Sequence, residues 1–168
     1  MKYITVKQYD AIKDIPRGRL TARYILYAGA IIQDQDKILL CQSSRSKYPG
    51  WQFPGGRVLW SESITECLKR EVMEEVSLSI EIKSLVGIFQ RNTTPEDEEY
   101  LRFIFSVKNF KHKKNVLKDP GIAKAEWFNI QDILDGKVPL QSNQILIEIQ
   151  RYTQNQTYPL EALGTYTW

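Results

Sequence analysis

Apolar residues along this chain gather in short dense runs, and one segment spaces them as a helix does. Residues 24–32 (YILYAGAII) and 37–42 (KILLCQ) are two such runs, rich in residues that suit a pleated sheet. The polar QDQD of residues 33–36 separates them, so the pair predicts a β-hairpin. A polar loop over residues 43–50 follows, and Pro54-Gly55-Gly56 marks a sharp turn after Trp51-Gln52-Phe53.

The helical segment runs from about Ser61 to Val76. Ile64, Leu68, Val72 and Val76 recur at intervals of four, which puts them on one buried stripe. Ser61 is the expected N-cap, with Glu62 in the first turn, where the helix dipole favours an acid. Beyond the helix, residues 78–90 alternate as a strand, 92–99 (NTTPEDEE) form an acidic loop and 100–107 (YLRFIFSV) a further strand. Residues 108–120 are expected as a basic loop, 125–128 as a short strand and 130–134 as a helical turn. Residues 142–152 should form a second helix, capped by Ser142. Strands and helices interleave in a way that implies an α/β chain, a mixed sheet with helices on its faces. Residues 1–23, interrupted by Pro16 and Gly18, read as a lead-in or edge segment, which leaves 24–168 as the main domain.

Composition narrows what such a domain can do. A chain of 168 residues, 42% hydrophobic and 26% charged, has the size and balance of one folded domain. Cys41 and Cys67 are too few for a disulfide framework and, with His112 the one histidine, too few for a zinc site. A single histidine also argues against a Ser-His-Asp triad. The formal charge of +3 is too small to argue for nucleic acid. No apolar run reaches the length of a membrane span and the first ten residues lack a signal-peptide pattern, so a reducing cytoplasm is the expected location.

The chemistry concentrates in residues 56–78 (GRVLWSESITECLKREVMEEVSL). Glu71 and Glu75 stand one helical turn apart and Glu74 lies beside them, so three carboxylates project near the C-terminal end of one helix. That end carries partial negative charge, and each acid there costs about 0.3–1 kcal/mol unless something positive is nearby. A solvated helix face is one way to tolerate the cluster. A bound cation is the other, and carboxylate oxygens suit magnesium or manganese.

Gly56, Glu62, Arg70, Glu71, Val72, Glu74, Glu75 and Leu78 together resemble the Nudix box, G-x5-E-x7-R-E-U-x-E-E-x-G-U, where U is bulky and apolar. One position departs, since Ser77 stands where the box has its second glycine. Trp51-x-x-Pro54-Gly55-Gly56 and Ala125-Glu126-Trp127-Phe128 are similar to the family as well, and segments 100–105 and 158–164 resemble its phosphatase members. The resemblance implies the Nudix fold, an α/β/α sandwich with a mixed central sheet. It further implies an enzyme that hydrolyses a phosphoanhydride bond with Mg2+, Mn2+ being a possible substitute. Glu71, Glu74, Glu75 and the Gly56 carbonyl would be the metal ligands, with Arg70 and Glu62 holding the carboxylates in place.

The general base stays open between Glu71, Glu75, Asp119, Glu98 and Glu99. Arg57 and Arg102 are expected phosphate contacts, and Glu98 and Asp119 are expected near the substrate; each also reads as ordinary surface charge. Trp60 and Tyr48 could stack on a base, whereas Trp51 and Trp127 suit core packing. The expected partner is a small phosphorylated substrate, a nucleoside tri- or diphosphate or a small organic pyrophosphate, bound by a monomer or a homodimer. Alternatives are a nucleotide-sugar hydrolase of the GDP-mannose kind, or an RNA 5′-pyrophosphohydrolase using the basic residues 108–118. A third is a Nudix fold that binds a ligand without catalysis.

Overall fold

The computed structural model describes residues 24–91, 99–114 and 119–164, so the expected lead-in over residues 1–23 and the acid Glu98 lie outside the described residues. Strand β1 (Tyr24–Ile31) lies inside the larger sheet. β1 pairs antiparallel with β4 (Gly55–Arg57) and parallel with β6 (Glu99–His112). Strand β5 (Leu78–Arg91) then pairs antiparallel with β6 and with β8 (Tyr158–Pro159). A smaller sheet joins β2 (Gln33–Asp34), β3 (Lys37–Ser43) and β7 (Ile122–Asn129).

Helix α1 (Ile64–Val76) closes one core, where Leu68, Val72 and Val76 meet Ala28, Ala30, Phe103 and Phe105. Helices α2 (Ile130–Leu134) and α3 (Asn143–Thr153) close the other, where Ile133, Ile145 and Ile149 meet Ile31, Phe53, Val86 and Ile104. The result is the α/β/α sandwich on a mixed sheet that the sequence predicts. Because β1 is buried on both sides over its second half, it reads as an unbroken apolar run rather than an alternating one. No helix among the described residues is long and apolar enough to cross a membrane.

The start of α1 differs from the sequence expectation. The cap is Ser63 rather than Ser61. Its hydroxyl accepts the Glu66 N–H at 3.2 Å while the Glu66 carboxylate accepts the Ser63 N–H at 2.8 Å. This reciprocal capping box needs an acid three residues after the cap, and Ser61 is followed at that spacing by Ile64. Ser61 instead takes a left-handed turn at φ 70°. Glu62 therefore precedes the helix rather than lying in its first turn.

Two other boundaries move. The basic stretch expected as a loop continues β6 as far as His112, because β5 runs opposite it down to the pair Leu78–His112. The short strand expected at 125–128 lengthens to Ile122–Asn129, since β3 pairs along all of it. Both are cases of cross-strand pairing overriding local polarity.

At the other end of α1, Ser77 adopts the left-handed conformation at φ 57° and ψ 36°, and its N–H donates to the Met73 carbonyl at 3.0 Å. Serine thus keeps the backbone that a glycine would adopt without strain. Ser77→Gly is expected to stabilise the fold by about 0.5–1 kcal/mol, the relieved strain less the extra freedom of an unfolded glycine. Urea denaturation checks this; a variant no more stable than the parent would show that the left-handed serine costs nothing.

Candidate active site

The site is built where α1 meets the glycine turn that leads into β4. Pro54 is held against β1 by the Ala30 N–H, which donates to its carbonyl at 2.9 Å, and Gly56 pairs with Ala28. A side chain at Gly55 would strike the Ala28 carbonyl, and its φ of +152° favours glycine. A side chain at Gly56 would collide with the Glu71 carboxylate. The two glycines let the acidic end of the helix close directly onto backbone.

Glu75 is the most deeply set of the acids, 7% exposed. The Gly55 N–H donates to its Oε2 at 2.8 Å, and the Cys41 thiol lies 3.7 Å from the same oxygen. Burial pushes its carboxyl up to about 8, with the Gly55 N–H opposing and the Glu71 charge adding to the rise. Glu71 is raised too, by burial first, against the pull of Arg70.

Arg70 serves the other acids together. Its Nε and Nη2 donate to Glu62 at 3.0 and 2.7 Å as a fork, and Nη1 donates to Glu71 at 2.7 Å and Glu74 at 3.3 Å. Its hydrogen bonds are the main reason that Glu62 is held down to about 2. One guanidinium is thus shared by three carboxylates. Glu75 has no basic ion-pair partner among the described residues, and the last turn of α1 holds no basic residue.

The remaining candidates fall at different distances from this cluster. The Gly56 carbonyl lies 3.7 Å from the Cys67 thiol, beside the carboxylates. Asp119 comes to the edge of the cluster: its N–H donates to the Glu74 carbonyl at 2.9 Å, and its charge contributes to the rise at Glu75. Its Oδ1 accepts the Gly121 N–H at 2.7 Å and lies 3.4 Å from Arg45. The Arg57 carbonyl accepts from Arg70 at 3.3 Å, while the Arg57 side chain donates to the Tyr100 hydroxyl at 2.8 Å. Trp60 is 97% exposed, so only the surface is open to it, whereas Trp51 packs in the second core.

Arg102 is placed apart from the carboxylates. It shares a row across the sheet with Tyr27 and Arg57, but its guanidinium donates to Glu148 on α3 at 2.9 and 3.2 Å and lies over the Tyr27 ring at 4.5 Å. Arg102, expected to contact phosphate, is thus paired with a carboxylate that is fully buried. Sequence reasoning did not single out Glu148, or Cys41 as a partner of Glu75. Glu148 did carry a signal, being an acid set among Ile145, Ile147 and Ile149.

Among the described residues no three acid, histidine or cysteine side chains are yet drawn to one point, and Arg70 Nη1 bridges Glu71 and Glu74. The donor set nevertheless fits a hard divalent cation. Glu71, Glu74, Glu75 and the Gly56 carbonyl offer oxygen only, and among the described residues one guanidinium, bound to Glu62, Glu71 and Glu74, is set against these four acids.

Comparison with known proteins shows the family of the fold. Residues 23–148 match the NUDIX domain family. The chain is 25% identical to the phosphatase NudJ of Escherichia coli over 138 residues, 82% of this chain and 89% of that protein. Its fold is similar to a NUDIX hydrolase from Nitrosomonas europaea, with TM-score 0.77 and 29% identity over 86% of this chain and 98% of the other. It is also similar to a MutT protein from Bacillus halodurans, with TM-score 0.60 and 29% identity over 74% and 79% of the two chains.

Two outcomes follow from the electrostatics. Without divalent cation the fold favours a protonated Glu75, moved from 4.5 to about 8, so the native state binds more protons than the unfolded chain in that window. Stability should therefore fall as pH rises from about 4.5 to 8, and Glu75→Gln should flatten that slope; thermal midpoints in EDTA test it. On the opposite face, Glu148→Ala strands the Arg102 guanidinium and should cost about 3–5 kcal/mol, whereas replacing both partners with leucine should cost much less. Equal losses in urea melts of the two variants would contradict that account.

Proposed function

The chain belongs to the Nudix family of hydrolases, and from that premise we propose that it cleaves a phosphoanhydride bond with magnesium. The substrate in this reading is a nucleoside di- or triphosphate or a small organic pyrophosphate. The observation that carries it is Glu75, buried against the Gly55 N–H without a basic partner among the described residues and beside three further acids that share Arg70. Such an excess of negative charge is what a divalent cation offsets. The similarity to a protein named phosphatase NudJ supports a small phosphorylated substrate.

Bound there, Mg2+ or Mn2+ would neutralise phosphate oxygens and lower the pKa of a water. Glu71, Glu74, Glu75 and the Gly56 carbonyl would hold the ion. Arg70, forked onto Glu62, keeps Glu71 and Glu74 from splaying apart, as residues behind metal ligands do. Arg57, one residue past the turn, is the proposed phosphate contact, for which its guanidinium would leave the Tyr100 hydroxyl. The proton lost by the attacking water goes to a carboxylate, and Asp119 is the described one at the edge of the cluster that the ion does not need. Glu71, Glu75, Glu98 and Glu99 are the other acids proposed for this role. Two buried free thiols are consistent with a reducing cytoplasm.

A phosphate-release screen with Mg2+ over nucleoside di- and triphosphates, nucleotide sugars and small organic pyrophosphates tests the reading. Glu74→Gln and Glu75→Gln should each lower turnover by roughly a hundredfold or more while the protein stays folded. Hydrolysis that persists in EDTA, or in either variant, would defeat it. The released species, orthophosphate or pyrophosphate, identifies the phosphorus attacked.

A further inference from the structure

Glu75 is held by more than the helix that carries it. Its Oε2 receives two donors from outside α1, the Gly55 N–H at 2.8 Å and the Cys41 thiol at 3.7 Å. Among the described residues no hydrogen bond reaches Oε1. Cys41 is fully buried, and its neighbours in the first core include Leu39, Leu68 and Val72. A valine would fill such a position with no polar atom to satisfy.

The sulfur is also fixed in place. Cys41 donates its N–H to the Gln52 carbonyl at 2.8 Å and accepts the Gln52 N–H at 2.9 Å, and on its other side β3 pairs it with Ala125. Gln52 leads within three residues to Gly55. Thiol and amide therefore belong to one tied backbone frame, and both meet the same carboxylate oxygen.

We propose that Cys41 is a positioning residue for the cation site: with the Gly55 N–H it occupies Oε2 of Glu75 and so leaves Oε1 as the oxygen that binds the ion. This rests on the reading of Glu75 as a ligand. A carboxylate pinned at one oxygen presents the other in a set direction, which is how groups behind a metal ligand raise its affinity. Cys41 itself touches neither ion nor substrate.

The experiment is a titration of substrate-free protein with Mn2+, followed by electron paramagnetic resonance, for the parent, Glu75→Gln, Cys41→Val, Cys41→Ala and Cys41→Ser. Glu75→Gln should lose most of the affinity. Cys41→Val should bind Mn2+ about tenfold more weakly, the low end of what such supporting groups contribute. Cys41→Ser keeps a donor and should stay within about threefold of the parent. Cys41→Ala repeats the valine test should the larger side chain disturb folding, which melts in EDTA report.

If Glu75→Gln weakens binding and the valine and alanine variants bind as the parent does, this proposal fails and the metal reading stands. If Cys41→Ser is as weak as Cys41→Val, the thiol acts through packing and the proposal fails as well. If Glu75→Gln itself binds normally, both fail.

Discussion

Everything at the site depends on how closely α1 approaches the backbone of the Pro54-Gly55-Gly56 turn. Glu71 lies where any side chain at residue 56 would have to be, and Glu75 accepts a hydrogen bond from residue 55. Gly55, at φ +152° and against the Ala28 carbonyl, has no room for a side chain, and one at residue 56 would push the Glu71 carboxylate aside. The contact buries Glu75 away from water, and the loss of hydration is the first cause of its raised pKa. Fold and chemistry are joined at this point, because packing the helix for its apolar stripe also brings its acids against the strand.

The charge is then distributed by the way α1 begins. With the cap at Ser63, Glu62 is free of the helix and turns back to take the fork of Arg70, eight residues on. Had Ser61 capped the helix, Glu62 would have faced the helix dipole instead. Arg70 has a further donor for Glu71 and Glu74, but it does not reach Glu75. Among the described residues, the acid left without a basic partner is therefore the buried one, an imbalance that a divalent cation would complement.

On the other side of the sheet a different device fastens the layers. Arg102 on β6 and Glu148 on α3 pair in the interior, with the Tyr27 ring beneath the guanidinium. Such a pair contributes little net stability over apolar residues, yet removing one partner is costly, so it fixes where α3 sits. It also separates the two arginines of the row across the sheet. Arg57 remains on the exposed strand next to the turn, and Arg102 is committed to holding the helix.

The order of residues along the chain was enough for the α/β layering, the apolar stripe of α1 and the spacing that places Glu71, Glu74 and Glu75 on neighbouring positions of one helix. These follow from periodicity, which is local. It also carried the capping box at Ser63 and Glu66, overlooked in favour of Ser61, and the acid of Glu148 among isoleucines. The meetings between distant segments came from packing: Cys41 and Gly55 on one oxygen of Glu75, Arg102 on Glu148, Asp119 on the end of α1, and the extension of β6 to His112 opposite Leu78. Hydrogen-bond partners and burial depend on which chain segments become neighbours in space. No spacing along the chain encodes that, and it is what sets the charge and the reach of each acid.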